Sequence, residues 1–72
     1  MCAVYTKHRN FKRAFSGGIY TDDLDRAKSI ADREAKNWWA VNGIYDWVKV
    51  RDVESKKYVY TAFAREAAEC AT

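Results

Sequence analysis

TDDLDRAKSIADREAKNWWAV, residues Thr21 to Val41, is the stretch that decides the fold. At about 100° per residue, Leu24, Ala27, Ile30, Ala31, Ala35, Trp38, Trp39 and Val41 fall within half of a helix circumference. Asp25, Arg26, Ser29, Asp32, Arg33, Lys36 and Asn37 occupy the opposite arc. The spacing predicts one amphipathic helix whose apolar arc is buried and whose charged arc faces water. Thr21 or Asp22 is placed to cap its first turn, and Asp22, Asp23 and Asp25 complement the positive end of the helix dipole. As a metal cluster, Asp-Asp-x-Asp lacks the further oxygen ligands of a calcium loop, so capping accounts for these acids. Asp22–Arg26 and Asp32–Lys36 are acid-first i,i+4 pairs, adding about 0.3 kcal/mol each. Asn42-Gly43 is the expected stop, because glycine suits the left-handed residue that ends helices.

Outward from the helix, both flanks read as strands. Ile44 to Asp52 (IYDWVKVRD) and Lys57 to Phe63 (KYVYTAF) alternate with period two around a short polar link, which predicts a hairpin. Before the helix, Cys2 to Thr6 and Phe11 to Phe15 form either a hairpin turning at Arg9-Asn10 or one long bulged strand. Ser16-Gly17-Gly18 is expected to be a bend or bulge. It lacks the further glycines and directly following helix of a phosphate loop. After Phe63, AREAAECAT has the composition for a turn or two of C-terminal helix. The expected fold is α+β, a small antiparallel sheet in the order β-β-α-β-β with one main helix on one face. The inner sheet face takes Val48, Val50, Val59 and Phe63 against Leu24, Ile30, Ala31 and Trp38.

Seventy-two residues, 49% of them hydrophobic and 15% aromatic, suffice for a single domain, residues 1–72, with one core. No apolar run approaches the ~20 residues of a membrane span, and MCAVYTKHRN has no stretch of signal-peptide length, so a cytoplasmic protein with no membrane partner is expected. Cys2 and Cys70 stand at opposite ends, and with one histidine they make no zinc site. Two free thiols or, where the ends adjoin, a disulfide are the alternatives. Net charge is +3, yet residues 1–20 hold Lys7, Arg9, Lys12 and Arg13 with no acid, leaving nine basic and ten acidic residues beyond them. The positive potential is local. It suits a phosphate backbone or an acidic protein face.

Two surfaces are candidates for binding. With Val48 and Val50 inward, strict alternation turns Tyr45, Trp47, Lys49 and Arg51 outward, joined by Tyr58 and Tyr60 on the next strand. Aromatics interleaved with cations occur at protein-interface hot spots and on single-stranded nucleic-acid platforms, and they also serve simply as cross-strand pairs. The second surface is the basic turn of Lys7, His8, Arg9, Lys12 and Arg13, flanked by Tyr5 and Phe11. It reads as a binding turn or as a solvated one that blunts a strand edge. Arg9 and Arg13 are favoured there because guanidinium pairs bidentately with carboxylate or phosphate. Catalysis has no constellation to build on, since both cysteines are terminal and His8 lies in an open turn. No cofactor is expected.

TDDLDRAKSIADREA, of the form Thr-x-x-x-x-x-Ala-Lys-x-Ile-Ala, followed by WVKVRDVESKKYVY, resembles small phage-encoded anti-CRISPR proteins, in particular inhibitors of the type I surveillance complex. The resemblance spans residues 19–60 and is one of architecture. It implies a phage or mobile-element inhibitor acting in the bacterial cytoplasm by binding a host protein or nucleoprotein complex, without catalysis. The basic charge departs from the acidic DNA-mimicking inhibitors, so acidic protein patches or bound nucleic acid are the implied targets. Direct nucleic-acid binding through Lys7, Arg9, Lys12, Arg13, Lys49 and Arg51 is the alternative. A homodimer that buries the open sheet face is the third.

Overall fold

The computed structural model describes residues 1–64 and contains a four-stranded antiparallel sheet with two helices, an α+β fold. The elements are β1 (Cys2–His8), β2 (Phe15–Thr21), α1 (Leu24–Glu34), α2 (Trp38–Val41), β3 (Tyr45–Asp52) and β4 (Lys57–Ala64). Strand order is β2-β1-β3-β4, and every neighbouring pair is antiparallel. The expected C-terminal helix and Cys70 lie outside the described residues. Cys2 packs half-buried against the core.

The first hairpin forms with a different turn and a different second strand. Pairing with β3 from Cys2↔Asp52 to His8↔Tyr45 carries β1 two residues past the expected strand end at Thr6. The chain reverses over residues 9–14 instead, where Arg9 N–H donates to the Ile44 carbonyl at 2.9 Å and Phe11 N–H to that of His8 at 3.2 Å. The Ser16-Gly17-Gly18 run is a bulge within β2: register passes from Ala3↔Tyr20 to Tyr5↔Ser16, leaving extra β2 residues opposite Val4. Gly18 has φ +78°, which its missing Cβ permits, and its N–H donates to Ser16 Oγ.

The expected single helix is two. Asp23, one residue later than expected, is the N-cap of α1, its Oδ1 accepting from Asp25 N–H at 3.0 Å and Arg26 N–H at 3.3 Å. Asp23→Ala should cost about 1 kcal/mol in urea unfolding, because two first-turn donors lose their acceptor. After Glu34 the chain tightens, with Lys36 N–H donating to the Arg33 carbonyl and Asn37 N–H to that of Glu34. Asn37 then caps a new helix. Its Oδ1 accepts from Ala40 N–H at 2.9 Å, and its Nδ2 donates to Glu34 Oε2 at 2.7 Å. The helical region ends at Asn42-Gly43 as expected, with Gly43 at φ +71°.

This break redistributes the apolar arc. Ala27 and Ala31 are fully buried and Ile30 packs beside them, but Leu24, Trp38, Trp39 and Val41 are exposed. The core is correspondingly small in side-chain volume: Val4, Val48 and Val50 of the sheet meet Ala27 and Ala31, with Cys2, Ile30, Tyr45, Tyr60, Ala62 and Phe63 around them. Alanines let α1 lie close to the sheet. Val59, expected inside, is exposed. The cause is a register shift between Val50↔Tyr60 and Arg51↔Tyr58, which leaves Val59 unpaired.

That shift also moves Tyr60. Two residues oppose one, so Tyr58 stays outward while Tyr60 turns to the helix, where its hydroxyl donates to Asp32 Oδ1 at 2.8 Å. This hydrogen bond, with desolvation and the Asp32 charge, raises the phenol pKa above its ordinary value. A raised folded-state pKa means the contribution is present at neutral pH and is lost as pH rises through that folded pKa. Asp32→Asn should move one phenolate transition in an ultraviolet titration back toward the ordinary range. Tyr60→Phe should remove that transition.

Candidate functional site

Of the six residues expected on the outer sheet face, Trp47, Lys49, Arg51 and Tyr58 are there. Tyr45 and Tyr60 are not. For Tyr45 the cause is again a register shift, from Lys7↔Trp47 to His8↔Tyr45, which leaves Asp46 extra and turns Tyr45 to the helix side. Tyr5 of β1 joins the outer face instead, meeting Tyr58 edge-on at 6.3 Å. Trp47 meets Tyr58 at 5.1 Å, and the aliphatic stems of Lys49 and Arg51 carry their charges over these rings. Only Tyr58 among Trp47, Lys49, Arg51 and Tyr58 counts as exposed; the other three are half-buried. Lys7 is half-buried too, and its Nζ donates to Asp46 Oδ2 at 3.1 Å, so its charge is already paired.

The more exposed aromatic surface lies at one end of the sheet, on the helix side. His8 is its centre, 5.1 Å from the ring of Tyr45, 5.6 Å from Phe11 and 5.7 Å from Trp39. Phe11 continues to Phe15 at 5.6 Å, and Trp39 to Trp38 at 5.5 Å, each edge-to-face. Five rings and one imidazole therefore form a continuous chain. His8 and Tyr45 are half-buried, and the other four are open to water: Phe11 and Phe15 at 52%, Trp38 at 65% and Trp39 at 47%, next to Val41 at 74%. Asn37 produces this arrangement by capping the start of α2 just past Ala35, the C-cap of α1, while Ala40 alone of the α2 residues is buried in the interior.

No family model, curated protein or solved structure matches this chain.

The basic turn borders this aromatic end. Arg9, Lys12 and Arg13 are all exposed in the loop that holds Phe11, and none makes an ion pair among the described residues. Tyr45 links the aromatic chain to a shallow cleft of about 180 Å³ between α1 and β2, lined by Val4, Thr6, Gly17, Ile19, Ile30, Glu34 and Tyr45. Among the described residues no three His, Cys, Asp or Glu side chains come together to hold a metal ion, and no helix is long and apolar enough to cross a membrane.

Sequence reasoning found the basic turn and missed the aromatic end beside it. Two signals were present. Trp38 and Trp39 differ by about 100° around a helix, so one narrow buried stripe does not hold both. Asn37 is a residue type that favours N-caps over helix interiors.

Proposed function

We propose that this chain is a non-enzymatic protein-binding module whose aromatic end docks onto an acidic, partly apolar surface of a partner. The setting we propose is inhibition of a host defence complex by a phage or mobile-element protein. The observation that carries the binding reading is where the large side chains lie. Among the described residues the fully buried ones are alanines and valines, while Phe11, Phe15, Trp38, Trp39 and Val41 stand in water. Exposing that area forfeits burial energy a small domain needs, at about 25 cal/mol per Å². Contiguous exposed apolar patches mark interaction sites, and buried aromatics with arginines make up interface hot spots. Here Arg9 and Arg13 flank the patch. Their uncompensated charge favours an acidic partner rim and speeds encounter with it.

The defence-complex setting rests on the architectural resemblance of residues 19–60. Its test is retention of a purified type I surveillance complex on the immobilised protein, together with loss of that complex's target-DNA binding. Retention with inhibition is the expected outcome. A complex that passes unretained and stays active overturns the setting.

A further inference from the structure

The sheet face turned away from both helices has a chemistry distinct from that of the aromatic end. β1, β3 and β4 are adjacent, so Tyr5, Trp47 and Tyr58 stand on three neighbouring strands, each about 4.8 Å from the next. On β3, Trp47, Lys49 and Arg51 project from alternate positions at a spacing of about 6.8 Å. Lys49 Nζ lies 4.7 Å from the centre of Trp47 and 5.4 Å from that of Tyr58. The Arg51 guanidinium carbon lies 5.4 Å from Tyr5 and 5.7 Å from Tyr58. Rings, not carboxylates, hold both cations: neither forms an ion pair among the described residues, and Arg51 Nε is buried without an acceptor. Trp47 and Tyr58 meet edge-to-face at 71°, and Tyr5 and Tyr58 at 81°, so neither pair is stacked face to face. The face continues onto β2, where the exposed Tyr20 accepts a hydrogen bond from Ser16.

We infer that this face is a platform for single-stranded nucleic acid, on which Trp47, Tyr58 and Tyr5 stack unpaired bases while Lys49 and Arg51 meet phosphates. Charge complementarity selects the occupant. Lys49 and Arg51 are cations without counter-charges among the described residues, and Thr61, paired with Lys49, and Ser16, paired with Tyr5, supply small polar neighbours instead of aliphatic anchors. A base has a π-face whatever its identity, so rings beside cations bind single strands with little sequence preference. A duplex hides its bases within the stack and offers only phosphates to the same surface.

The test is fluorescence anisotropy of a labelled oligothymidine titrated with the intact chain, and with a duplex of equal length. Binding at low salt, preference for the single strand and a log-linear loss with salt are expected. Tyr58→Ala removes cross-strand ring contacts and should lower the melting temperature by a few degrees, leaving the chain folded at the assay temperature while weakening binding about 5- to 100-fold, the loss of one stacked base. Lys49→Gln and Arg51→Gln should each lower the salt slope by about 0.7. The inference is overturned by no anisotropy change at low salt or by equal affinity for the duplex. It is also overturned if binding survives Tyr58→Ala and Lys49→Gln but is lost with Arg9, Lys12 and Arg13, or if polyglutamate competes as well as the oligonucleotide. The first of these loop results places the nucleic acid on the basic turn; the polyglutamate result makes the face a site for acidic protein.

Discussion

Ala31→Leu is expected to destabilise the domain by about 1–3 kcal/mol, whereas Trp38→Ala should change stability by less than about 0.5 kcal/mol. The contrast inverts the usual ranking of residue sizes and follows from where the two side chains sit. Ala31 is fully buried in the cluster that includes Val4, Val48 and Val50, so added carbons force α1 away from the sheet. Trp38 is 65% exposed, and among the described residues its aromatic-ring contact is with Trp39. At about 4–8 °C per kcal/mol for a domain of this size, thermal melting resolves the difference. A Trp38→Ala variant that melts many degrees lower, beside an undisturbed Ala31→Leu, would contradict the packing described here.

The second large effect is on binding. Phe11→Ser combined with Trp38→Ser should weaken partner binding at least about 30-fold, the ~2 kcal/mol expected of hot-spot aromatics, while leaving the melting temperature nearly unchanged. Arg33→Ser, on the solvent side of α1, should leave binding intact. The measurement is quantitative capture from a bacterial host extract, followed by titration of the recovered protein against all three forms. Equal capture by wild type and the double variant would remove the aromatic end from the interaction. Adding salt should slow association more than it speeds dissociation, since Arg9, Lys12 and Arg13 act by attraction at a distance.

Most of the framework was legible because it depends on local periodicity. The helix start near Thr21, its end at Asn42-Gly43, the hairpin from Tyr45 to Ala64 and the inward Val48 and Val50 all follow from patterns within one segment. What was not legible depends on pairing between segments. The irregularities at Asp46 and Val59 arise where β3 meets β1 and β4 and reverse the parity of Tyr45 and Tyr60, while a further shift between Lys49↔Thr61 and Val48↔Phe63 restores the inward position of Phe63. Strict alternation therefore put Tyr45 and Tyr60 on the wrong face, though it placed Trp47, Lys49, Arg51 and Tyr58 correctly. The shift of β2 to Phe15–Thr21 has the same origin, since β1 extends to His8 only because β3 is there to pair with it. The division of the helix is different. Asn37 carried that information locally, and the apolar periodicity across it outweighed the cap.

Site-specific photo-crosslinking tests the central proposal most directly: a photoreactive phenylalanine at position 38, with position 33 as the control. Position 38 should crosslink to one acidic host protein, excess unlabelled wild-type chain should abolish the product, and position 33 should give none. No product from position 38, equal products from both positions, or a product formed only with a second copy of this chain would contradict that proposal.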